Sequence, residues 1–197
     1  MNTSSSFSIE LRHPRVLPNL ITALRVLAIP VLLFLLIRER YAAALSTFVF
    51  AGLTDWLDGQ VARYVGSDAE EFGKRFDALA DKALAGSSLV MLTLVGGVPM
   101  WLTCLVVGRD VALVGGFGLI FLWTGRTIRT KPSRVGKWGT FFVLVTVSMA
   151  LVELLSPHWL PGLLVWTVWG LAGGATVVSG VQYGWRTVAW LWGREED

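Results

Sequence analysis

Residues 54–82 read TDWLDGQVARYVGSDAEEFGKRFDALADK, and this charged stretch decides how the rest of the chain is interpreted. It contains two aspartate pairs: Asp55 and Asp58 are three residues apart, and Asp77 and Asp81 are four apart. On a helix, residues at these spacings share a face. The chain around them is 54% hydrophobic and only 16% charged, with a mean hydropathy of +0.60. That composition is not typical of a soluble globule, so the concentration of carboxylates needs an explanation.

The apolar segments predict an all-α integral membrane protein. A spanning helix needs roughly 20 mostly apolar residues, and six segments qualify: 17–37, 41–63, 76–97, 99–123, 138–156 and 160–192. The predicted domain organisation is therefore an N-terminal cytoplasmic or interfacial segment (1–16), one six-helix domain (17–192) and a charged tail (193–197).

Three prolines bear on these helices. Pro30 lies inside the first segment and is expected to kink or locally break it. Pro99 and Pro161 fall at the starts of the fourth and sixth segments, where proline is tolerated.

The basic residues predict that both termini are cytoplasmic. With the N-terminus inside, most of the 17 Lys and Arg residues fall in cytoplasmic segments, whereas the opposite side receives only Arg38 and Arg40. An excess of Lys and Arg marks cytoplasmic loops. The aspartate pairs then lie at the cytoplasmic ends of the second and third helices. We expect the protein to lie in the bacterial inner membrane, with its active site facing the cytoplasm.

Four carboxylates that converge near a membrane need a cation. They repel one another and are costly to desolvate, and two helices joined by a short loop are expected to be antiparallel neighbours. One or two divalent ions with oxygen ligands would be a compact solution, and two ions about 4 Å apart stabilise both the attacking and the leaving oxygens in phosphoryl transfer. Alternatively, the aspartates cap helices or pair with nearby basic residues, namely Arg63, Lys74, Arg75 and Lys82.

Small and basic residues accompany the aspartates. Gly59 and Ala62 leave room for a ligand near the backbone, and Gly73 offers amides to a phosphate at the start of the third helix. Arg63 either holds a diphosphate oxygen or snorkels to the membrane surface. The whole pattern is D-x2-D-G-x2-A-R-x9-G-x3-D-x3-D. It resembles the signature of the CDP-alcohol phosphatidyltransferase family, with nine residues before Gly73 where the usual statement has eight.

Further segments resemble the phosphatidylglycerophosphate synthase and cardiolipin synthase branch of that family. They are PNLITALR (18–25) followed by Pro30, GRDV (108–111), KPSRVGKWGT (131–140) and TVVSGVQYGWR (176–186). The resemblance implies six transmembrane helices around a polar cavity open to the cytoplasm, usually in a homodimer.

The resemblance also implies a reaction, in which a phosphatidyl group passes from CDP-diacylglycerol to an alcohol and CMP is released. It implies two Mg²⁺ or Mn²⁺ ions held by Asp55, Asp58, Asp77 and Asp81, with Asp81 also acting as the general base. The implied CDP site comprises Gly59, Ala62, Arg63 and Gly73. Asn19 and Thr22 share a helical face and join this site, although hydrogen bonds between helices explain them equally well.

The acceptor alcohol is predicted from the basic segment TGRTIRTKPSRVGK (124–137). This segment either sets topology and attracts anionic lipid, or forms a pocket for the acceptor's phosphate. The pocket would comprise Lys131, Arg134 and Lys137, with Arg109 reaching it from the fourth helix. Asp110 is expected on another face, where it pairs with Lys82 or another helix.

An anionic acceptor is then favoured over serine, choline or ethanolamine. Glycerol 3-phosphate fits best on charge and size, which predicts a phosphatidylglycerophosphate synthase. Phosphatidylglycerol is the alternative, because Arg109–Asp110 resembles the cardiolipin synthase branch; an inositol phosphate or an unusual alcohol ranks third.

Other classes of protein explain the pattern less well. A divalent-cation transporter would place carboxylates in a helical bundle, but it needs neither the small residues around them nor a basic segment beside the ion path. A membrane prenyltransferase needs more spans than this length supplies. An intramembrane aspartyl protease needs two catalytic aspartates on separate spans with a glycine before one of them, a pattern that this sequence does not show. No nucleic-acid partner is expected.

Overall fold

The computed structural model describes residues 16–65, 71–124 and 134–193, and this part of the chain forms six α-helices without a β-strand. The helices are α1 (Val16–Ile37), α2 (Tyr41–Val65), α3 (Glu71–Leu94), α4 (Met100–Thr124), α5 (Arg134–Leu155) and α6 (Gly162–Leu191). The predicted all-α class is confirmed.

Four helices match their predicted bounds to within two residues, but α3 and α5 begin earlier than predicted. α3 begins at Glu71 rather than at residue 76, and α5 at Arg134 rather than at residue 138. The prediction followed apolar residues alone. Glu, Lys and Arg are also good helix formers, so each helix continues through polar sequence beyond its apolar segment.

α3 also ends earlier than predicted, at Leu94. The Gly97 amide donates to the Leu92 carbonyl at 2.8 Å, and the Gly96 amide donates to the Thr93 carbonyl at 3.1 Å. Gly96 has a φ of 80°, a left-handed conformation that glycine adopts without strain. These two bonds form a Schellman motif, which terminates the helix.

The prolines behave largely as predicted. α1 runs continuously through Pro30, so this proline does not break the helix. The Pro99 carbonyl accepts from the Leu102 amide at 3.1 Å, and the Pro161 carbonyl accepts from the Leu164 amide at 2.9 Å. Each therefore immediately precedes a helix and supplies one of its first carbonyl acceptors.

Helices α3 and α5 lie at the centre of the bundle. α3 contacts α1, α4 and α5, and α5 contacts α2, α3 and α6. Fully buried leucine and valine side chains fill the space between helices, among them Leu36, Leu89, Leu102, Val147 and Leu151. In the parts of α2 and α3 that are described, the two helices do not contact each other directly. Both helices pack against α1 and α5. The side chains of Asp55, Asp58 and Asp77 lie outside the described residues, so the predicted facing of the two aspartate pairs stays a prediction.

The outer surface of the bundle is strongly apolar. Many large side chains are mostly exposed, for example Leu122 at 81% and Leu163 at 82%. Within the described residues, two stretches are long and apolar enough to cross a membrane, Val135–Leu155 and Gly162–Ala189.

Candidate active site

The eight positions of the aspartate pattern lie on two helices. α2 carries Asp55, Asp58, Gly59, Ala62 and Arg63, and α3 carries Gly73, Asp77 and Asp81. Gly73 is in the first turn of α3, as predicted. Of the four aspartates, only Asp81 has a described side chain. The side chains of the other three, and those of Asn19, Thr22, Ala62 and Arg63, lie outside the described part of the structure, so their roles stay predictions.

Asp81 lines a cavity of about 160 Å³ that five helices, α2 to α6, enclose. Small residues leave this space open, including Gly52 on α2, Ala85 on α3 and Gly139 on α5. The polar side chains at its wall are Asp81, Lys82, Arg109, Asp110, Thr140, Thr176 and Ser179. The cavity thus brings together Asp81, predicted as the base, and Arg109, predicted for the acceptor's phosphate.

An ion network crosses this wall. The Lys82 Nζ donates to Asp110 Oδ1 at 3.0 Å, and Arg109 Nη1 donates to the same oxygen at 2.6 Å. The predicted pairing of Asp110 with Lys82 is confirmed. Asp110 is on a different helical face from Arg109, as expected, because adjacent helical residues diverge by about 100°. The long arginine side chain nevertheless bends back to bond its neighbour.

Arg109 is held from two further directions. Its Nη2 donates to Ser179 Oγ at 3.0 Å, and its guanidinium carbon lies 5.6 Å from the centre of the Tyr183 ring. Ser179 is buried, and its hydroxyl donates to the Thr176 carbonyl at 3.1 Å, which leaves the oxygen free to accept from Arg109. Arg109 Nε is buried and has no hydrogen-bond partner among the described residues. The guanidinium therefore has a fixed orientation at the cavity wall.

Comparison with known proteins identifies a family for this chain. The family described as CDP-alcohol phosphatidyltransferase matches residues 15–177, which include the aspartate pattern and nearly all of the cavity lining. The chain belongs to this family.

Individual relatives carry two different names. A Pseudomonas fluorescens protein named CDP-diacylglycerol--glycerol-3-phosphate 3-phosphatidyltransferase is 34% identical, over 85% of this chain and 87% of its own length. A Drosophila melanogaster protein named probable cardiolipin synthase (CMP-forming) is 33% identical, over 88% of this chain and 60% of its own. A Mycobacterium tuberculosis protein named probable phosphatidylglycerophosphate synthase is 32% identical, over 85% of this chain and 79% of its own. The chain thus spans less than two thirds of the fly protein.

Two of the four predicted acceptor-phosphate residues of this phosphatidyltransferase family member lie at the start of α5. Arg134 is the first residue of α5, and Lys137 is exposed in its first turn. Both were predicted in a loop, so their placement is corrected to the helix. Lys131 and the side chain of Arg134 lie outside the described residues. Lys137 is not among the cavity-lining residues, although its neighbours Gly136 and Thr140 are.

Sequence reasoning missed three polar residues of the cavity wall. Thr140, Thr176 and Ser179 lie within the segments that resemble the family, but no role was predicted for them. Thr176 and Ser179 are three residues apart in an otherwise apolar helix, and polar side chains within apolar helices commonly mark functional positions. That spacing was the signal that could have found them.

Of the four metal ligands that the resemblance implies, only Asp81 has a described side chain. Among described side chains, no group of three or more His, Cys, Asp or Glu is close enough to hold a metal. The fit can still be judged from the donor set. α2 and α3, which carry all four aspartates, line the same cavity, and Asp81 is in its wall. Carboxylate oxygens are the ligands that Mg²⁺ and Mn²⁺ prefer, so these residues fit such ions.

Proposed function

We propose that this protein transfers the phosphatidyl group of CDP-diacylglycerol to glycerol 3-phosphate and releases CMP, as a phosphatidylglycerophosphate synthase of phospholipid biosynthesis. The observation that carries this proposal is the cavity in which Asp81 and Arg109 lie together. A carboxyl group and a fixed cation at one cavity wall suit an acceptor that carries both a hydroxyl group and a phosphate.

We also propose that all six helices span a membrane, with both termini and the cavity on the cytoplasmic side. The shortest helices have 22 residues, which correspond to about 33 Å of rise and match a hydrocarbon core of about 30 Å. The exposed apolar surface and the uneven distribution of Lys and Arg support this arrangement. We assign the protein to the bacterial inner membrane, as the sequence suggested.

In the proposed reaction, Asp81 removes the proton from the acceptor's hydroxyl group. The hydroxyl oxygen forms a bond to the phosphorus that bears the diacylglycerol, and the bond from this phosphorus to the oxygen of CMP breaks. CMP takes the electron pair of the broken bond, and Asp81 keeps the proton until water removes it. For transfer, Asp81 must be within hydrogen-bond reach of the hydroxyl group, about 2.6–3.2 Å.

Asp55, Asp58, Asp77 and Asp81 would hold two Mg²⁺ or Mn²⁺ ions. When bound, such ions neutralise the charge of the diphosphate and of departing CMP. The CDP moiety would contact Gly59, Ala62, Arg63 and Gly73. Gly73 is suited to this role because backbone amides in the first turn of a helix can bind phosphate. Asn19 and Thr22 of α1 would complete the subsite.

The acceptor's phosphate would lie between Arg109 and the start of α5. The first turn of α5 contains no acidic residue but contains Arg134 and Lys137. Cations at a helix N-terminus are unfavourable with respect to the helix dipole, so stability does not explain them. An anion would be attracted by both cations and by the positive end of the helix dipole, with Lys131 as a further contributor.

The second candidate is a cardiolipin synthase, with phosphatidylglycerol as the acceptor. The Arg109–Asp110 pair favours it by its resemblance to that branch, and the fly relative carries that name. Both acceptors are anionic, so both are compatible with a positively charged pocket. A divalent-cation transporter is a remote third candidate.

A homodimer is proposed by family analogy, with a membrane lipid environment and no nucleic-acid partner. Gly115, Gly116 and Gly118 of α4 face open space, because a Cβ atom added at any of them would meet nothing within 4 Å. This surface would be available to a second copy of the chain. Small residues of this kind let helices approach closely in membranes.

The test is CMP release by the full chain, purified in detergent, with CDP-diacylglycerol and Mg²⁺. Glycerol 3-phosphate, phosphatidylglycerol and an inositol phosphate are supplied in separate reactions. We expect release with glycerol 3-phosphate, and its loss when EDTA removes the metal. Release with phosphatidylglycerol alone would identify the second candidate. No release with any acceptor would contradict the proposed class, and release that EDTA does not affect would contradict the metal site.

A further inference from the structure

Lys82, the residue directly after Asp81, connects α3 to two other helices. Its ammonium group bonds Asp110 Oδ1 on α4 at 3.0 Å, and the same oxygen accepts from Arg109 at 2.6 Å. Arg109 Nη2 in turn donates to Ser179 Oγ on α6 at 3.0 Å. Helices α3, α4 and α6 are thus joined by side chains at the residue next to the proposed base.

We propose that Lys82, Asp110 and Arg109 form a brace that positions the Asp81 carboxylate in the cavity. Lys82 and Asp110 are then positioning residues and bind neither substrate. The inference rests on the proposed function, because it assigns the brace a role in the reaction at Asp81.

The geometry explains why such a brace matters. Asp81 and Lys82 are adjacent on a helix and diverge by about 100°, so the bond of Lys82 to α4 fixes the rotation of α3 that directs Asp81. Proton transfer depends steeply on distance, and a displacement of about 1 Å can lower the rate by about 10²-fold.

The exposure of the brace argues against a mainly stabilising role. The side chains of Lys82, Asp110 and Arg109 are 37%, 26% and 18% exposed. Ion pairs with this much exposure usually add little to folding stability. A lower kcat with unchanged thermal stability would therefore indicate a positioning role and not a role in packing.

The test compares Lys82→Met, Asp110→Asn and the double variant in the full chain, by CMP release at varied glycerol 3-phosphate and CDP-diacylglycerol. We expect each single variant to lower kcat by about 10–100-fold, with both KM values changed by less than about threefold. The double variant should be no slower than the slower single variant, because both substitutions break the same contact. Lys82→Arg should retain most of the activity, because arginine can also donate to Asp110.

Thr93→Val is the matched control. The hydroxyl oxygens of Thr93 and Thr103 lie 2.6 Å apart and also link α3 to α4, but far along both helices from Asp81. This variant should leave kcat unchanged. Thermal unfolding in detergent is measured for every variant, and Lys82→Gln replaces Lys82→Met if the latter does not fold.

Three results in the variants of Lys82 and Asp110 would overturn the brace while the wild-type enzyme is active. They are unchanged kcat in all variants, losses that add in the double variant, and a rise in acceptor KM at constant kcat in Lys82→Met, which would make Lys82 a ligand. An equal loss in Thr93→Val would also overturn it, because any contact between α3 and α4 would then suffice. A wild-type enzyme that releases no CMP would instead overturn the proposed function, and the brace with it.

Discussion

The two ends of the helical bundle satisfy their polar groups in different ways. The turn end contains the three described turns, residues 38–40, 95–99 and 156–161, where backbone groups are paired locally. Glu153, for example, accepts from the His158 amide at 2.7 Å and more weakly from the Leu160 amide at 3.4 Å. The cavity end contains the cavity around Asp81, where polar side chains bond one another across helices and Arg109 Nε has no described partner.

This difference indicates a division of roles. Local backbone pairing closes the ends of helices and stabilises the fold, and it needs no ligand. Side chains that gather at a cavity are costly to bury unless they are fully paired, so a fold retains them where they bind or react with something. Substitutions at the turn end should therefore change stability, and those at the cavity end should change turnover.

The largest effect is expected for Asp81→Asn, which removes the proposed base but keeps the shape of the side chain. We expect turnover to fall by about 10²–10⁴-fold, with CDP-diacylglycerol binding retained. CMP release and lipid binding are measured on the same preparation. The matched control is Glu39→Gln at the turn end, which should leave turnover unchanged. Near-normal turnover in Asp81→Asn would remove Asp81 from the role of base.

A smaller effect is expected for Arg134→Ala, at the start of α5. Hydrogen bonds to charged groups contribute about 1.5–3 kcal/mol, so the apparent KM for the acceptor should rise by roughly tenfold or more with little change in kcat. Arg38→Ala removes a positive charge from the turn end and should leave this KM unchanged. If Arg134→Ala leaves the acceptor KM unchanged, the basic segment serves membrane topology and does not bind the acceptor.

The turn end and the helices were largely predictable from the sequence, and the site only in part. Helix bounds follow from apolar length and from Pro99, Pro161 and Gly96, which act locally. Asp81 was predicted because it is the last of four aspartates that lie at helical spacings on two helices. These signals need no knowledge of how the helices pack.

The contacts within the cavity wall depend on packing and were therefore harder to predict. The link from Arg109 to Ser179 joins residues 70 positions apart, and no local pattern specifies such a pair. The pairing of Lys82 with Asp110 was predicted from their opposite charges. The bend of Arg109 toward Asp110 could not be predicted without knowing the position of α6. For the same reason, the packing of α1 and α5 against both α2 and α3 could not be predicted from the sequence.

The smallest effect is expected for Gly173→Ala, which tests whether the two ends are separable. A Cβ atom at Gly173 would approach Cζ3 of Trp101 on α4 to 2.9 Å, so the indole must shift. Since Trp101 is 47% exposed, the ring can move, and we expect a loss of only about 1–2 kcal/mol of stability. Gly174→Ala is the matched control, because a Cβ atom there meets nothing within 4 Å.

Thermal unfolding and CMP release are measured together for both glycine variants. α4 carries Trp101 near its first turn and Arg109 two turns later, so a displacement at Gly173 reaches the cavity only if α4 moves as a rigid rod. Lower stability with normal turnover would mean that the contacts of Arg109 with Asp110 and Ser179 hold the cavity end independently. A parallel loss of turnover would mean that α4 transmits the displacement, and the two ends would then form one mechanical unit.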